Sequence, residues 1–325
     1  MESRKRVINA LRFKEVDRIP IENYHGDLNK YYPSDVWSPS FKYGVGKKNG
    51  IINSKGSWTD EWGCKWTAAE DGVKGEVKHS PISDWANLNT FSPPWEVLED
   101  SDLTMVDEQC GNSDKFMITF WDTAASPFQR MQFLRGTENL FLDLGYGDKN
   151  LFKLRDMVHE YYMKQVEMWS NTAVDGIHIE DDWGAQHSLL ISPKLWREFF
   201  KPLYKDYCDL AHSRGKYVLM HSDGYIMDII DDLIEVGIDA VNAQIFCMDI
   251  EKLADLYHGK IAFWGEIDRQ YLLTFGKPKE IRLAVQRVAN AFFKYGRTGI
   301  VGECQGGKDH KRENIIAAYD EWSKL

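Results

Sequence analysis

The sequence predicts an α/β fold, a (β/α)8 TIM barrel with an insertion near its N-terminus. From residue 175 onward, short apolar segments alternate with helical segments, which indicates parallel strands joined by right-handed crossovers. Seven strands can be identified in the 325 residues, and an eighth is expected between residues 27 and 60. Eight strands in a chain of this length fit a closed barrel, so we expect one domain over residues 1–325.

The N-terminal part of the chain predicts a helix, a strand and a long irregular insertion. Residues 3–13 place Val7, Ala10 and Leu11 on one face of a short helix, and a strand at residues 18–24 follows. Residues 27–110 show little regular period and are rich in Gly, Asn, Ser, Pro and Trp. Because such segments in compact enzymes usually cover the active site or make a subunit contact, we expect residues 27–110 to cap the barrel.

The rest of the chain predicts the alternating elements of the barrel. Further strands are expected at residues 116–121, 175–180, 217–220, 239–244, 260–263 and 298–302. Helices are expected at residues 127–144, with an interruption near Gly136, and at 151–171, 193–213, 225–236, 250–257, 278–295 and from 312 onward. Ser192 and Pro193 are typical of a helix start, since serine caps a helix and proline is favoured in its first turn.

The composition argues against several classes of partner. The net charge of -10 disfavours binding to nucleic acid or to an anionic membrane. No apolar run approaches the length of a membrane span, and the first residues lack the apolar core of a signal peptide, so we expect a cytoplasmic protein. The five cysteines are odd in number and widely spaced, which indicates reduced thiols.

The strand at residues 217–220 leads directly into His221, Asp223 and Gly224. In barrel enzymes, the groups just after the carboxyl ends of the strands carry the chemistry. The other strand ends would bring further groups to the same place: Tyr24, His25, Trp121, Asp122, Glu180, Asp182, Gln244, Trp264, Glu266, Glu303 and Cys304. Taken alone, His221 is better explained as a hydrogen-bonded residue of a tight turn, and Cys304 as a small core residue.

Imidazole, thiolate and carboxylate groups on neighbouring strands would together make a zinc site. Zinc takes all three ligand types, and a catalytic site leaves one position open. The sequence contains neither CxxC nor HExxH, so this hypothesis depends on the fold and not on a local motif. Glu180 is in phase with His178 on its strand, whereas Asp181 is better explained by a solvated, helix-capping turn.

Motifs over nearly the whole chain resemble those of the uroporphyrinogen decarboxylase superfamily. They are Arg6–Leu11 with Asp17–Pro20, Asp60–Gly63, Phe133–Asn139, Ile191–Pro193 with Phe200–Pro202, His221–Gly224 with Asp232–Gly237, and Glu313–Ile315. Each motif is weak alone, and together they are specific. The resemblance implies a (β/α)8 barrel, in agreement with the strand count.

The superfamily contains two chemistries, and this chain is more similar to one of them. Its decarboxylases bind a tetrapyrrole through an arginine-rich segment after the first strand, but residues 21–27 contain no arginine. Its zinc-dependent methyltransferases have His-x-Cys at one strand end and a second Cys at the last strand. Here Asp223 occupies the first cysteine position and Cys304 the second. A zinc ion with more oxygen and nitrogen ligands is a harder Lewis acid, which favours an ether or alcohol oxygen.

The resemblance therefore implies a substrate-side methyltransferase of a corrinoid system, an O-demethylase component. It would move a methyl group from a small O-methyl compound, such as a methoxylated aromatic, to a corrinoid (cobalamin) on a partner protein. The alternative is a metal-independent decarboxylase of a uroporphyrinogen-like or other carboxylic acid. A third hypothesis is a non-enzymatic barrel that binds a corrinoid or a tetrapyrrole. A homodimer is compatible with such barrels.

The resemblance also implies roles for individual residues. The expected zinc ligands are Glu180, His221 and Cys304, with Asp223 as an alternative ligand or as support for the others. The expected catalytic residues are Asp182, Asp223 and Glu266, and Asp182 or Glu266 would protonate the departing oxygen. The expected substrate-binding residues are Tyr24, His25, Trp121 and Trp264.

Overall fold

The computed structural model describes residues 1–46, 54–72, 75–293 and 297–325, without the side chain of Trp121. The strands of these residues are β1 (Val36–Trp37), β2 (Gly56–Thr59), β3 (Lys65–Ala68), β4 (Glu76–His79), β5 (Phe116–Met117), β6 (Gly176–Glu180), β7 (Tyr217–Ser222), β8 (Ala240–Ala243), β9 (Ala262–Gly265) and β10 (Ile300–Gly302). The helices are α1 (Ser3–Leu11), α2 (Trp95–Glu99), α3 (Val106–Gly111), α4 (Pro127–Arg135), α5 (Thr137–Tyr146), α6 (Asn150–Ser170), α7 (Pro193–Phe199), α8 (Lys201–Ser213), α9 (Ile230–Val236), α10 (Ile250–Tyr257), α11 (Leu272–Phe275), α12 (Pro278–Phe292) and α13 (Arg312–Trp322). In the part of the chain so described, no helix has the length and apolar character needed to cross a bilayer.

Eight parallel segments close a barrel within one compact unit, which comprises residues 1–39, 107–124 and 169–325. Strands β6 to β10 form one parallel sheet, and β1 pairs with β5. A bridge between Ile118 and Gly176 joins β5 to β6. A bridge between Ile21 and Gly302 joins the first segment to β10, and the amide of Asp35 donates to the carbonyl of Ile21 at 2.7 Å. The predicted (β/α)8 fold is confirmed, and the eighth strand expected between residues 27 and 60 is β1.

Two of the predicted helices are each divided. Gly136 separates α4 from α5 at a φ of 88°, where the sequence predicted an interruption. The helix predicted at residues 193–213 ends at Phe199 and starts again as α8, because Pro202 in the first turn of α8 has no N–H to continue the hydrogen bonding of α7. Ser192 caps α7 as predicted, since its hydroxyl accepts the amide of Leu195 at 3.2 Å.

Apolar side chains from the strands and from α1 form one buried cluster in the barrel. The buried cluster there contains Val36, Phe116, Ile118, Leu219, Ala240, Ala262, Trp264 and Val301 from the strands. Val7 and Leu11 of α1 belong to the same cluster, so the predicted apolar face of this helix packs against the barrel interior. The polar residues Asp182 and Asp223 come after the last residues of β6 and β7, at the carboxyl ends of these strands.

The second compact unit comprises residues 40–106 and 125–168. It contains the antiparallel sheet β2-β3-β4, and its interior includes an ion pair of Arg130 with Asp60 at 3.1 Å beneath the ring of Trp62. The residues of this unit overlap with the predicted insertion, residues 27–110, but the two ranges are not the same. Strand β1 falls inside the range 27–110 but belongs to the barrel, and residues 125–168 fall outside that range. The capping role of residues 27–110 stays a prediction.

Candidate functional site at the carboxyl ends of the strands

The loops that follow β6 and β7 approach each other very closely. The amide of Gly184 donates to the carbonyl of Asp223 at 3.0 Å. A Cβ atom on Gly184 would lie 2.4 Å from the nitrogen of Tyr225, so no larger residue fits there. Gly224 has a φ of 78°, a conformation that glycine adopts without strain. These glycines bring the acidic residues at the ends of the two strands together.

Asp182, His221 and Asp223 form a candidate cation site, with ligand atoms that all lie within 4.8 Å of one another. His221 Nε2 is 3.6 Å from Asp182 Oδ1 and 3.5 Å from Asp223 Oδ1. The backbone amide of Asp223 donates to Asp182 Oδ1 at 2.9 Å, which holds that carboxylate toward the ring. The two carboxylates are 33% and 37% exposed, so a ligand from solvent can reach the site.

The donor types suit zinc, and the separations of His221 from the two carboxylates match those of a zinc site. Zinc bonds to imidazole nitrogen at about 2.0–2.1 Å and to carboxylate oxygen at about 2.0–2.2 Å, so two ligands of a tetrahedral site lie about 3.3–3.5 Å apart. The separations of 3.5 and 3.6 Å from His221 to the carboxylates are close to this value. One imidazole and two carboxylates fill three corners and leave the fourth for water or substrate. Asp182, His221 and Asp223 are therefore the residues that would hold the ion.

The other ring nitrogen of His221 contacts Asn242. Nδ1 of His221 lies 2.5 Å from the amide oxygen of Asn242. The amide nitrogen of Asn242 donates to the carbonyl of Trp264 at 3.1 Å and to Glu303 Oε2 at 2.6 Å. The parallel register explains this chain of contacts, because β8 pairs Asn242 with His221 of β7 on one side and with Trp264 of β9 on the other.

Opposing effects act on the pKa of His221. Burial lowers it, but the negative charges of Asp223, Asp182 and Glu180 attract the proton, and together they raise the pKa above its usual value. The carboxylates around His221 therefore favour a positive charge at this place, either a proton on the ring or a metal ion bound to it. Because zinc binds the neutral ring, zinc binding would release the proton.

Arg269 and Glu266 lie beside the cluster. The guanidinium of Arg269 donates to Asp223 and to Gln305, and its Nε lies 3.5 Å from Glu266 Oε2. Burial raises the pKa of Glu266, although the positive charges of Arg269 and His221 oppose this rise. Glu266 Oε1 is buried and has no hydrogen-bond partner among the described residues. A buried carboxyl with a raised pKa next to a polar cluster is a candidate proton donor.

Two further carboxyl groups are buried inside the barrel. Burial raises the pKa of Glu22 to about 7, against the effect of hydrogen bonds from the Tyr24 hydroxyl at 2.6 Å and the Trp264 indole at 2.5 Å. Burial also raises the pKa of Glu303 well above its ordinary value, and the charges of Glu266 and Glu22 add to the effect. Burial inside the barrel therefore favours the neutral form of both carboxyl groups.

The structure brings together some of the predicted metal ligands. His221 and Asp223 lie in the cluster, and Asp182, predicted as an acid, lies there with them. Glu180 is the direct neighbour of His221 in the register of β6 and β7 but does not belong to the cluster. Cys304 is fully buried, also lies outside the cluster, and has a pKa raised chiefly by burial. The ligand roles of Glu180 and Cys304 stay predictions.

The predicted substrate-binding residues have different environments. Tyr24 is 41% exposed, whereas Trp264 is 1% exposed and belongs to the barrel core. His25 Nε2 lies 3.3 Å from the carbonyl oxygen of Cys304. The side chain of Trp121 lies outside the described part of the chain, and its backbone begins the 3-10 turn Trp121–Thr123. Substrate contacts by these four residues stay predictions.

Glu22, Asn242 and Arg269 lie around the site but were not among the groups that the sequence placed at strand ends. Asn242 lies two residues before Gln244, and Glu22 lies two residues before Tyr24. Alternate residues of a strand face the same side. Since Gln244 and Tyr24 were expected at strand ends facing the site, the same side could have been predicted for Asn242 and Glu22. Arg269 lies in the loop after β9, where no periodicity indicates the direction of a side chain.

In (β/α)8 barrel enzymes, the active site lies at the carboxyl ends of the strands. The cluster of Asp182, His221 and Asp223 lies at this end of the barrel. The model of the uroporphyrinogen decarboxylase (URO-D) family matches residues 61–301. The chain therefore belongs to the uroporphyrinogen decarboxylase family.

Among solved structures, a methyltransferase from Methanosarcina mazei superposes with a TM-score of 0.70 and 14% sequence identity. The match covers 100% of this chain and 99% of that chain, and at this identity it shows a shared fold. No curated protein matches the sequence significantly.

Proposed function

We propose that this protein is a zinc-dependent methyltransferase that takes a methyl group from a small O-methyl compound and transfers it to a corrinoid protein. The observation that carries the proposal is the cluster of Asp182, His221 and Asp223, in which the distances from His221 to the two carboxylates match zinc ligands and one position is left for substrate. Membership of the URO-D family and the likeness to a methyltransferase support methyl transfer, whereas the zinc ion, the corrinoid and the methyl ether belong to the proposal.

The donor set favours an oxygen-linked methyl group. Zinc held by one nitrogen and two oxygen donors would act as a hard Lewis acid on an ether oxygen. Among the described residues, the cluster includes no thiol, and a thiol-rich donor set is what suits zinc to sulfur substrates. A methyl ether, such as a methoxylated aromatic, is therefore the proposed donor, with Tyr24, His25, Trp121 and Trp264 as proposed contacts.

The proposed reaction requires one proton. The bond between the methyl carbon and oxygen breaks, the oxygen keeps the electron pair and takes a proton, and the methyl group passes to the reduced cobalt of the corrinoid. With Asp182 and Asp223 engaged as ligands, Glu266 is the remaining predicted acid. Its buried oxygen Oε1 has no partner among the described residues and would hold this proton. Arg269, at 3.5 Å from Glu266, would stabilise the carboxylate that is left.

Metal binding tests the first part of the proposal. We expect the purified protein to bind one zinc ion, and zinc to raise the midpoint of thermal unfolding because it binds only the folded state. The variant His221→Ala should lose both effects. His212→Ala is a matched control. His212 lies on α8, its Nε2 is 2.9 Å from Asp239 Oδ2, and it does not belong to the cluster. Zinc binding that survives in His221→Ala would contradict the assignment of the ligands.

Methyl transfer tests the second part. A reduced corrinoid protein should be methylated when the zinc-loaded enzyme meets a methyl ether, and methylamines and thioethers should be poorer donors. Chelation should abolish the transfer, and the His221→Ala variant should be inactive, whereas His212→Ala should retain activity. Release of carbon dioxide from a carboxylic acid, unaffected by chelator, would instead favour the decarboxylase.

A further inference from the structure

We propose that Asn242 is the positioning residue that places the proton of neutral His221 on Nδ1 and so presents Nε2 to the metal. The proposal rests on the proposed function only for the metal. The tautomer itself is a property of the metal-free protein. The residues that carry it are His221, Asn242, Trp264 and Glu303, on the neighbouring strands β7 to β9 and at the end of β10.

The orientation of the Asn242 amide follows from the groups around it. Its nitrogen lies 3.1 Å from the backbone carbonyl oxygen of Trp264, which can only accept a hydrogen bond. The amide NH2 must therefore face Trp264, whatever the protonation state of Glu303. The second hydrogen of the NH2 group goes to Glu303 Oε2 at 2.6 Å. The amide oxygen then has one remaining direction, which is toward His221 Nδ1.

The orientation of the amide determines the tautomer of the ring. An amide oxygen has no proton to give, so Nδ1 of His221 must be the donor in this contact. A neutral imidazole with its proton on Nδ1 has its lone pair on Nε2. Nε2 is the atom that lies 3.6 and 3.5 Å from the carboxylates of Asp182 and Asp223. The asparagine thus turns the correct nitrogen of His221 into a ligand before any ion arrives.

Burial makes this arrangement rigid. Asn242 is 3% exposed and Glu303 is 2% exposed, so water does not compete for their hydrogen bonds. Among uncharged side chains of this size, an amide can accept from His221 and donate twice on its other side. A leucine has a similar shape but provides neither function. Hydrogen bonds to the second nitrogen of a metal-binding histidine typically change metal affinity by about 10–100-fold.

The experiment measures the tautomer and the zinc affinity separately. The ring 15N shifts of His221 are recorded in metal-free protein at a pH where the ring is neutral, and the His221 signals are assigned by their loss in His221→Ala. Zinc affinity is measured by competition with a chromophoric chelator. The variants are Asn242→Leu, which removes the acceptor, and Glu303→Gln, which preserves a side-chain acceptor for the Asn242 amide.

We expect wild type and Glu303→Gln to show the Nδ1–H tautomer and similar zinc affinity, because the Trp264 carbonyl still orients the amide. Asn242→Leu should lose the preference for Nδ1–H and bind zinc about 10–100-fold more weakly. An Nε2–H tautomer in the wild type, or wild-type zinc affinity in Asn242→Leu, would overturn the proposal. If the wild type shows Nδ1–H but binds no zinc, the positioning of the proton is supported and the proposed zinc function fails. If Asn242→Leu does not fold, an Nε2–H or mixed tautomer in the wild type would still refute the proposal, and a pure Nδ1–H tautomer would support it.

Discussion

Glu22 should make the protein more stable at mildly acidic pH than at alkaline pH. Glu22 is 6% exposed inside the barrel, and its carboxyl accepts hydrogen bonds from Tyr24 and Trp264. Because burial raises its pKa from 4.5 to about 7, the folded state holds the proton more tightly than the unfolded state. The stabilisation is therefore complete below about pH 4.5, decreases as the pH rises from there, and is lost above about pH 7.

The size of the effect follows from the shift of the pKa. A rise from 4.5 to about 7 corresponds to about 3 kcal/mol, at about 1.4 kcal/mol per pKa unit. Glu22→Gln is uncharged at every pH, and its amide oxygen can still accept from Tyr24 and Trp264. We therefore expect the free energy of unfolding of the variant, relative to wild type, to increase by about 2–3 kcal/mol between pH 5 and pH 8.

Denaturant unfolding at the two pH values measures this difference. A matched control is Glu198→Gln. Glu198 lies on α7, its side chain is 64% exposed, and its ion pair with Lys194 is long, at 3.8 Å. The control should follow the wild type closely at both pH values, since exposed ion pairs contribute little. If the difference between Glu22→Gln and wild type is the same at pH 5 and pH 8, the reasoning about the buried carboxyl is refuted.

Two further predictions concern charge at the site and in the barrel wall. Arg269→Ala should bind zinc about tenfold more tightly, as measured by competition with a chelator. The reason is that the positive charge of Arg269 beside Asp223 repels the zinc ion and makes its binding free energy less favourable by about 1.4 kcal/mol. Weaker zinc binding by the variant would contradict this prediction. Asp35 is fully buried and accepts hydrogen bonds from Arg6 at 2.6 Å, Arg18 at 2.7 Å and the amide of Ile21 at 2.9 Å. Asp35→Ala should lower the free energy of unfolding by about 3 kcal/mol or more, measured with denaturant, because the buried partners lose their acceptor; a loss below about 1 kcal/mol would show that they re-pair without it.

The fold was predictable because its signals are local. Strands β6 to β10 are short, mostly apolar runs, and Ser192 and Gly136 mark helix ends by their own chemistry. The break before α8 was missed, although Pro202 is visible in the sequence, because an amphipathic pattern continues across it. The strand predicted at residues 18–24 is reduced to the bridge at Ile21, since its pairing depends on β10 at the other end of the chain.

The candidate site was predictable only in part. His221 and Asp223 were found because they follow a clear strand, and barrel chemistry occurs at such ends. Their grouping with Asp182 depends on the contact of Gly184 with the segment after Asp223, which involves two loops far apart in the sequence. The grouping with Cys304 stays a prediction, as do the corrinoid partner, the homodimer and the cytoplasmic location.

The sequence by itself determined that the chain forms parallel strands and helices in alternation, and that polar groups follow the ends of those strands. The spacing of apolar residues and the positions of turn residues determine local structure over short stretches of chain. A single sequence therefore contains this information. Only the tertiary structure decided that Asn242 faces His221 and that Glu22 is buried beside Trp264. Those contacts depend on the register between strands that are distant in the chain, and closure of the barrel sets that register through many weak contacts at once.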